Sequence, residues 1–441
     1  MFQQRLSLVI KVLILKIEQE EKNFDPKPFI FTYNVNKVNE DRNLTARDRE
    51  FNSPQIGPID LWPPVILAPM AGVTDVPFRD LCRSFMREGL EKTQSECLML
   101  NSTPGLFVNQ MITARAFLER NRKTLKLAEF GYEESPRSIQ LYGTEPESLQ
   151  AAVKELVQLQ KVEHIDLNFG CPVPKVTKHG GGGALPYKRP LFRRIIRSVV
   201  NAAEGEIPIT VKFRMGIDDS HLTYLDAGKI AEDEGISALA LHARTVEQLY
   251  SGQANWNAIS TLKEHVESIP IFGNGDIWEP HDAIRMMRCS NADGVVIGRG
   301  CLGRPWLFKQ LAEVFSGQKP SPFPLLGEVG KIMYEHAEGV VNWHGSETAL
   351  RTFRKHASWY LTGFSVGKEI RRDIHRISTL DELAEIISRF EANQPLPQDA
   401  YRIPRSHKGG PKRVSLPEGW LEEPFSDFAL SKDAEQVTSG G

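Results

Sequence analysis

Cys171 stands between a glycine and a proline in the stretch N-F-G-C-P-V-P-K-V-T-K-H-G-G-G-G-A-L-P, Asn168 to Pro186, directly after the run His164-Ile-Asp-Leu. The run reads as a short strand punctuated by Gly170 and Pro172, which puts a thiol where a strand gives way to a loop. The four glycines at 180–183 let backbone come close to something large. Other apolar runs also end in groups able to do chemistry: A-P-M-A-G-V-T-D at 68–75, Gln140, Lys212 and Arg214, His242 and Arg244, G-N-G-D at 273–276, and G-R-G at 298–300. A lysine extending from an apolar strand needs a negative or acceptor-rich partner. Taken singly, each of these residues is more often a satisfied core group, and each turn an ordinary tight turn. Their shared position at the ends of apolar runs points to one site.

Eight β-rich runs would position these groups: Val65 to Met70, Leu106 to Met111, Ser138 to Tyr142, His164 to Phe169, Ile209 to Arg214, Ala238 to His242, Pro270 to Gly273 and Asp293 to Ile297. Stretches of helical periodicity separate them, among them Pro146 to Gln160, Leu191 to Ala203, Leu225 to Glu234 and Pro280 to Met287. Continuous apolar strands alternating with helices belong in a parallel sheet, and eight such units predict an α/β fold, a (β/α)8 TIM barrel. A doubly wound sheet is the alternative. After Pro320-Ser-Pro-Phe-Pro the strand signal stops, and Leu325 to Phe390 reads as a smaller all-helical domain rich in Arg, Lys and His. The expected organisation is an extension at 1–55, poorly ordered from 18 to about 55, then a barrel at 56–320, helices at 321–392 and a mobile tail at 393–441.

The chain has 441 residues and 41% hydrophobic content, enough for one large domain and a smaller one. A net charge of −2 announces no nucleic acid globally, so any basic surface must be local. Cys82, Cys97, Cys171, Cys289 and Cys301 are scattered with no C-x-x-C pair, which argues for a reducing cytoplasm and against zinc or disulfides. The apolar stretch Leu6 to Ile17 is broken by Lys11 and Lys16, lacks a small-residue cleavage site and is too short to span a bilayer.

In a barrel the loops after the strands carry function, and glycine turns after strands seven and eight hold phosphate on backbone N–H groups. The turns at 273–276 and 298–300 occupy those places, with Arg299 as a charged partner, so a phosphorylated cofactor is expected. A flavin also answers Lys212. Its N1 and O2 edge gains electron density on reduction, which a nearby ammonium favours, and an amide such as Gln140 can bond the pyrimidine edge.

The blocks L-A-P-M-A-G-V-T-D-V-P-F-R, Q-L-Y-G, D-L-N-F-G-C-P-V-P-K-V, G-G-G-G-A-L, V-K-F-R-M-G, L-H-A-R-T, G-N-G-D-I and I-G-R-G together resemble the tRNA-dihydrouridine synthase family, in particular its bacterial B-type branch, from about Ile56 to about Phe390. The resemblance implies an FMN barrel, a helical domain that grips tRNA, and reduction of a uridine C5–C6 bond driven by NADPH or NADH. It assigns FMN to Ala68, Pro69, Met70, Gln140, Lys212, His242, Asn274, Gly275, Asp276, Gly298 and Arg299, and makes Cys171 the catalytic acid. That role suits a thiol, which at a pKa near ~8.5 keeps its proton at neutral pH where a carboxylic acid has lost its own. Asn168, Arg214 and Arg244 would meet the substrate, and the glycine run would let its loop fold over a flipped-out base.

Two features depart from the family pattern. Glu88 to Thr103, with Lys92, Gln94 and Ser95, reads as an insertion, and Asn109-Gln110-Met111 lacks the acidic residue expected before the methionine.

The helical segment gathers Arg351, Arg354, Lys355, His356, Trp359, Tyr360, Lys368, Arg371, Arg372, His375 and Arg376. Basic groups three and four apart share a helix face, which suits RNA phosphates, and Arg354, Lys355, Arg371 and Arg372 are the expected tRNA contacts. The expected partners are tRNA and NADPH, for a cytoplasmic monomer without membrane or metal. Two alternatives stay open: an FMN barrel acting on a free pyrimidine, as dihydroorotate dehydrogenases do, and an RNA-binding or regulatory protein with a non-catalytic flavin.

Overall fold

The computed structural model describes residues 44–92, 102–159, 161–345, 349–406 and 409–426. A small hairpin, β1 (Gln55–Ile56) and β2 (Ile59–Asp60), precedes eight parallel strands: β3 (Val65–Leu67), β4 (Leu106–Thr113), β5 (Ser138–Tyr142), β6 (His164–Phe169), β7 (Ile209–Arg214), β8 (Ala238–His242), β9 (Ile271–Asn274) and β10 (Gly294–Ile297). Each pairs with its neighbour in sequence and β10 pairs with β3, so the sheet closes into a barrel. All eight expected runs are strands. The first ends early, at Leu67, because Pro69 has no N–H to give to the ladder.

Strand alternation divides the side chains into two layers. Val65, Leu67, Ile139, Leu141, Ile165, Leu167, Val211, Phe213, Leu239 and Leu241 join the core beneath the outer helices. The inward set differs around the barrel. Ile66, Leu106, Val108, Ala238, Ala240, Phe272 and Val296 form an apolar cluster that Ile56, Ile59 and Leu61 extend from the hairpin side. On β5, β6 and β7 the inward residues are instead polar and buried: Ser138, Gln140, His164, Asp166 and Thr210.

Those polar residues satisfy one another. Ser138 Oγ lies 2.6 Å from His164 Nδ1, and His164 Nε2 lies 2.9 Å from Thr210 Oγ1. Thr210 Oγ1 donates to Asp166 Oδ1 at 2.7 Å, and Gln140 Nε2 donates to Asp166 Oδ2 at 2.7 Å. Asn168 Nδ2 closes the chain on Gln140 Oε1 at 2.8 Å. Leaving such a buried group unpaired costs about 1–3 kcal/mol, so the chain fixes the register of three strands at once.

Both ends of the described chain pack more closely than composition suggests. Residues 44–55, expected to be poorly ordered, lie against the barrel: Ala46 N donates to Val314 O, and Arg288 forms two bonds to the Glu50 carboxylate at 2.6 and 2.7 Å. The stretch Leu6 to Ile17 and residues 18–43 lie outside the described residues. The described residues of the expected mobile tail, 393–406 and 409–426, instead pack as a strap, while 407–408 and 427–441 lie outside the described residues. Tyr401 stacks on Phe323 at 3.9 Å, Arg402 bonds Glu279 at 2.9 Å, and Trp420 is fully buried with its indole N–H donating to Ala184 O at 3.2 Å. A polar tail looks free in sequence because its partners lie far along the chain. Within the proposed insertion, 93–101 lie outside the described residues, while Lys92 bonds Glu313 at 3.0 Å and Thr103 N donates to Asp60 O.

Four helices, Leu326–His344, Leu350–Tyr360, Gly367–Ile374 and Leu380–Ser388, share a second core of Val329, Met333, Phe353, Tyr360, Ile374 and Leu383, which Trp306 joins from the barrel side. The Phe78 ring sits 5.4 Å from His336 and 5.8 Å from His356 across the junction. No helix among the described residues is long and apolar enough to cross a membrane.

Arg79, fully buried in the helix Val76–Lys92, ties the rim of the barrel together. It donates to Glu134 at 2.5 and 2.7 Å, to Thr74 O at 2.8 Å and to Asn109 Oδ1 at 3.0 Å. Replacing Glu134 with alanine strands that guanidinium, and a loss of about 3–5 kcal/mol is expected in urea titration. A loss below ~1 kcal/mol would show that the loop after β3 is held by something else.

Candidate active site

A cavity of about 630 Å³ opens at the carboxyl ends of the strands, and every barrel strand or the loop following it contributes to its lining. The residues expected to hold a cofactor all line it: Ala68, Pro69, Met70, Gln140, Lys212, His242, Asn274, Gly275, Asp276, Gly298 and Arg299. Cys171, Asn168 and Arg214 line it as well. Arg244, Arg354, Lys355, Arg371 and Arg372 do not.

The thiol is held by the backbone around it. Asn168 Oδ1 accepts from the N–H groups of Gly170 and Cys171, both at 3.0 Å, while its Nδ2 donates to Gln140 Oε1 and to Met111 Sδ. Its carboxamide is thus spent on the turn that presents Cys171. Gly183 N donates to Cys171 O at 3.1 Å. A Cβ on Gly182 would lie 2.5 Å from that same carbonyl, and one on Gly181 would strike the Tyr142 hydroxyl. The four glycines are buried, so they let the chain press against the Cys171 turn rather than cover a ligand. Cys171 is half-buried, and burial pushes its thiol above the ordinary range, opposed by the Val173 N–H and by Arg214. The thiol therefore keeps its proton at neutral pH.

Burial dominates the charges beneath it. It pushes the Asp166 carboxyl up to about 6 against the bonds from Thr210 and Gln140, and with Arg214 it pulls the Lys212 ammonium down to about 8. Near pH 7 both are charged, and the Asp166 charge favours the Lys212 ammonium without a direct salt bridge. His242 is held well below its usual range by burial and then by Arg214, Lys212, Arg244 and Arg299, so its ring is neutral. Lys212 has no hydrogen bond among the described residues, which leaves its donors for an acceptor in the cavity. Arg214 is anchored by Nε to Gly170 O at 2.9 Å and by Nη1 to Thr245 O and Leu249 O, both at 2.8 Å, leaving Nη2 without a bond.

The opposite wall suits an anion. A Cβ on Gly298 would meet nothing nearer than Ala68 Cβ at 3.8 Å, so backbone is bare to the cavity there. Gly275 has φ +129°, and a Cβ on it would lie 2.6 Å from Ala254 Cβ. Arg244 lies behind this turn, with Nη2 at 2.8 Å from both Asp276 oxygens and Nε on Ser251 O. Its Nη1 is buried with no partner, 3.6 Å from that Gly275 Cβ position. Lys175, Lys212, Arg214 and Arg299 against the single Asp276 make the lining net positive. Bare backbone, an orphaned guanidinium N–H and excess cations together fit a phosphorylated ligand.

Tyr250, missed from sequence, organises this wall. Its ring lies 4.7 Å from the Arg299 guanidinium and 5.5 Å from that of Arg214. Trp278 covers Arg299 from another side at 5.1 Å. Leu249 supports the arrangement with φ +53°, a strained conformation for leucine, which aims its carbonyl at Arg214. Ser406 and Gly409 of the strap complete the lining. The available signal for Tyr250 and Leu249 was their loop position after β8, where the functional loops of barrels lie. Within β4, Gln110 Oε1 accepts from Gly72 N at 2.7 Å, so an amide oxygen serves where an acid was expected.

The helical basic residues are largely engaged. Arg354 bonds Ile377 O and Arg376 O, Arg371 bonds Phe364 O and Leu361 O, Arg372 pairs with Asp373, and Lys355 Nζ donates to Gly72 O at 2.5 Å. His356 and Tyr360 are core residues, not stacking platforms. Arg351, Lys368, His375 and Arg376 are exposed.

A family model described as dihydrouridine synthase matches residues 66–395. A protein of Mycobacterium tuberculosis called "probable tRNA-dihydrouridine synthase" is 49% identical over 388 residues, spanning 88% of this chain and 97% of its own length. A Mycobacterium leprae protein of the same name is 48% identical over 85% of this chain and 100% of its own. The "tRNA-dihydrouridine synthase B" of Pseudomonas aeruginosa is 36% identical over 77% of this chain and 96% of its own.

The raised thiol has a direct readout. Only the thiolate alkylates, so iodoacetamide labelling of the Cys171 peptide, followed by mass spectrometry, is expected to rise with pH to a midpoint above the ~8.5 of a free cysteine. A midpoint at or below 7 would mean that Arg214 outweighs burial.

Proposed function

Since this chain belongs to the dihydrouridine synthase family, we propose that it reduces the C5–C6 double bond of uridines in tRNA, using FMN and, as reductant, NADPH. One observation carries the reading: a proton-bearing thiol and a cationic, glycine-bare wall face each other across one cavity. When bound, reduced FMN supplies the hydride. Everything else falls to the chain's own residues.

Gly275, Gly298 and Arg299 would hold the phosphate with backbone N–H groups and a guanidinium, with the Arg244 guanidinium adding positive charge from behind the Gly275 turn. Lys212, backed by Asp166, would meet the electron-rich edge of the ring, with Gln140, His242, Asn274 and Ala68 to Met70 around it. Asp276 keeps Arg244 and Arg299 in place.

Saturating the bond needs a proton on the second carbon, and Cys171 Sγ donates it. The thiolate left behind is favoured by the Val173 N–H and by Arg214, and it regains its proton from water for the next turnover. Arg214, with Nη2 unspent, would hold a carbonyl of the uracil, while Asn168 acts at one remove by fixing the Cys171 turn. A uridine can reach this depth only after leaving its stack, at a cost of a few kcal/mol. The expected setting is the cytoplasm, with one chain acting on each tRNA.

With Cys171 replaced by alanine, flavin binding and its reduction by NADPH should persist while dihydrouridine formation falls on the order of 100-fold or more. Near-normal turnover by that variant would sink the acid assignment. Replacing Arg299 or Lys212 with alanine should instead lower the flavin content or slow flavin reduction. Fully yellow, normally reducing preparations of both would refute these cofactor roles.

A further inference from the structure

The segment beyond residue 395, where the family match ends, returns from the helical domain to the mouth of the cavity. Several anchors hold it. Arg405, buried, donates to Trp359 O at 3.2 Å and Thr362 O at 3.3 Å, and Lys412 N donates to Glu247 O at 2.9 Å. Farther on, Trp420 packs with Tyr187 and Ile217, Tyr187 Oη donates to Leu421 O at 2.9 Å, and Lys188 Nζ donates to Glu423 O at 2.7 Å. Between these anchors Ser406 and Gly409 form part of the cavity wall.

Beside the cavity wall, in residues 409–414, the charged side chains are basic, while the exposed acids Asp399, Glu418, Glu422 and Glu423 lie outside that stretch. Lys412 and Arg413 are exposed, and neither side chain has an ion-pair or hydrogen-bond partner among the described residues. Lys412 lies three residues past Gly409, so no more than ~11 Å of chain separates it from the wall. A Cβ on Gly410 would meet nothing within 4 Å, so backbone is open to a close approach there. Lys175, also exposed, lines the same cavity from the Cys171 loop, where Val173 is 48% exposed. By contrast, Arg354, Lys355, Arg371 and Arg372 already bond the protein itself.

We propose that this strap is a substrate-binding element: Lys412 and Arg413 bind phosphates of the tRNA strand on either side of the uridine that enters the cavity. The proposal rests on the tRNA reading above. It adds two cations beside a mouth that Lys175 also lines, with backbone bare enough at Gly410 for a polynucleotide to lie close. The Lys412 N–H bond to Glu247 O and the anchors farther on hold the backbone that carries these charges before RNA arrives, which limits the ordering cost of binding to the side chains.

The test is tRNA binding by the full flavin-loaded chain across a salt series, with the KM for NADPH measured alongside. In the double variant Lys412→Ala/Arg413→Ala, binding should weaken about tenfold near physiological salt. Its salt slope should flatten by about 1.4–1.8 log units per log unit, for two lost phosphate contacts. The swap Lys412→Arg/Arg413→Lys preserves charge and should bind as the unaltered chain does, which separates a charge effect from a packing effect. An unchanged slope in the alanine variant, an equal loss in the charge-preserving swap, or a raised KM for NADPH with intact tRNA binding would each overturn the proposal. Failure of the unaltered chain to form dihydrouridine would count against the functional reading alone, because the salt slope judges the strap without turnover.

Discussion

The structure depends on a line of hydrogen bonds buried inside one half of the barrel. It runs from Ser138 through His164, Thr210, Asp166 and Gln140 to Asn168, crossing β5, β6 and β7. A barrel interior can be filled with branched apolar side chains, and the other half of this one is. Polar groups are tolerated in this half because each finds its partner on the adjacent strand, which leaves only one register in which all are satisfied. The line ends at Asn168, whose carbonyl oxygen takes the Cys171 N–H. The thiol is thereby aligned by the same bonds that align the strands.

A second constraint follows from placing cations in this enclosure. Burial lowers the proton affinity of Lys212 and of His242, and each nearby guanidinium lowers it further. Asp166 keeps Lys212 charged near neutral pH, while nothing does so for His242, which stays neutral. Two neighbouring strands thus present one charged and one uncharged nitrogen to the same cavity. Tyr250 lies against Arg214 and Arg299, covering both cations where carboxylates are scarce.

Arginine does two kinds of work in this chain. Inside, Arg79, Arg214, Arg244, Arg304 and Arg405 each bond two or more backbone carbonyls or carboxylates and act as braces between loops. On the helical domain, Arg354 and Arg371 brace helix ends in the same way. A basic segment therefore indicates an RNA surface only after the carbonyls within its reach have been counted. That count leaves the exposed charges of Arg351, Lys368 and Arg376 on the helices and those of Lys412 and Arg413 on the strap.

By itself the sequence determined the fold class, because eight apolar runs with helical spacers leave few ways to bury their faces. It also determined which residues stand at the strand ends, since strand alternation and the punctuation by glycine and proline are local properties. Those residues line one cavity because a barrel brings all its strand ends together. Tertiary structure alone decided how each group is used. Asn168 and Gln140 bond each other rather than standing free, Lys355 braces the rim at Gly72, the glycine run presses on Cys171, and the apparent tail is anchored by Trp420. All four outcomes turn on a partner that is distant in the chain or displaced by the strand register. A hydrogen bond forms with whatever the fold brings within about 3 Å, and composition and spacing do not encode that distance.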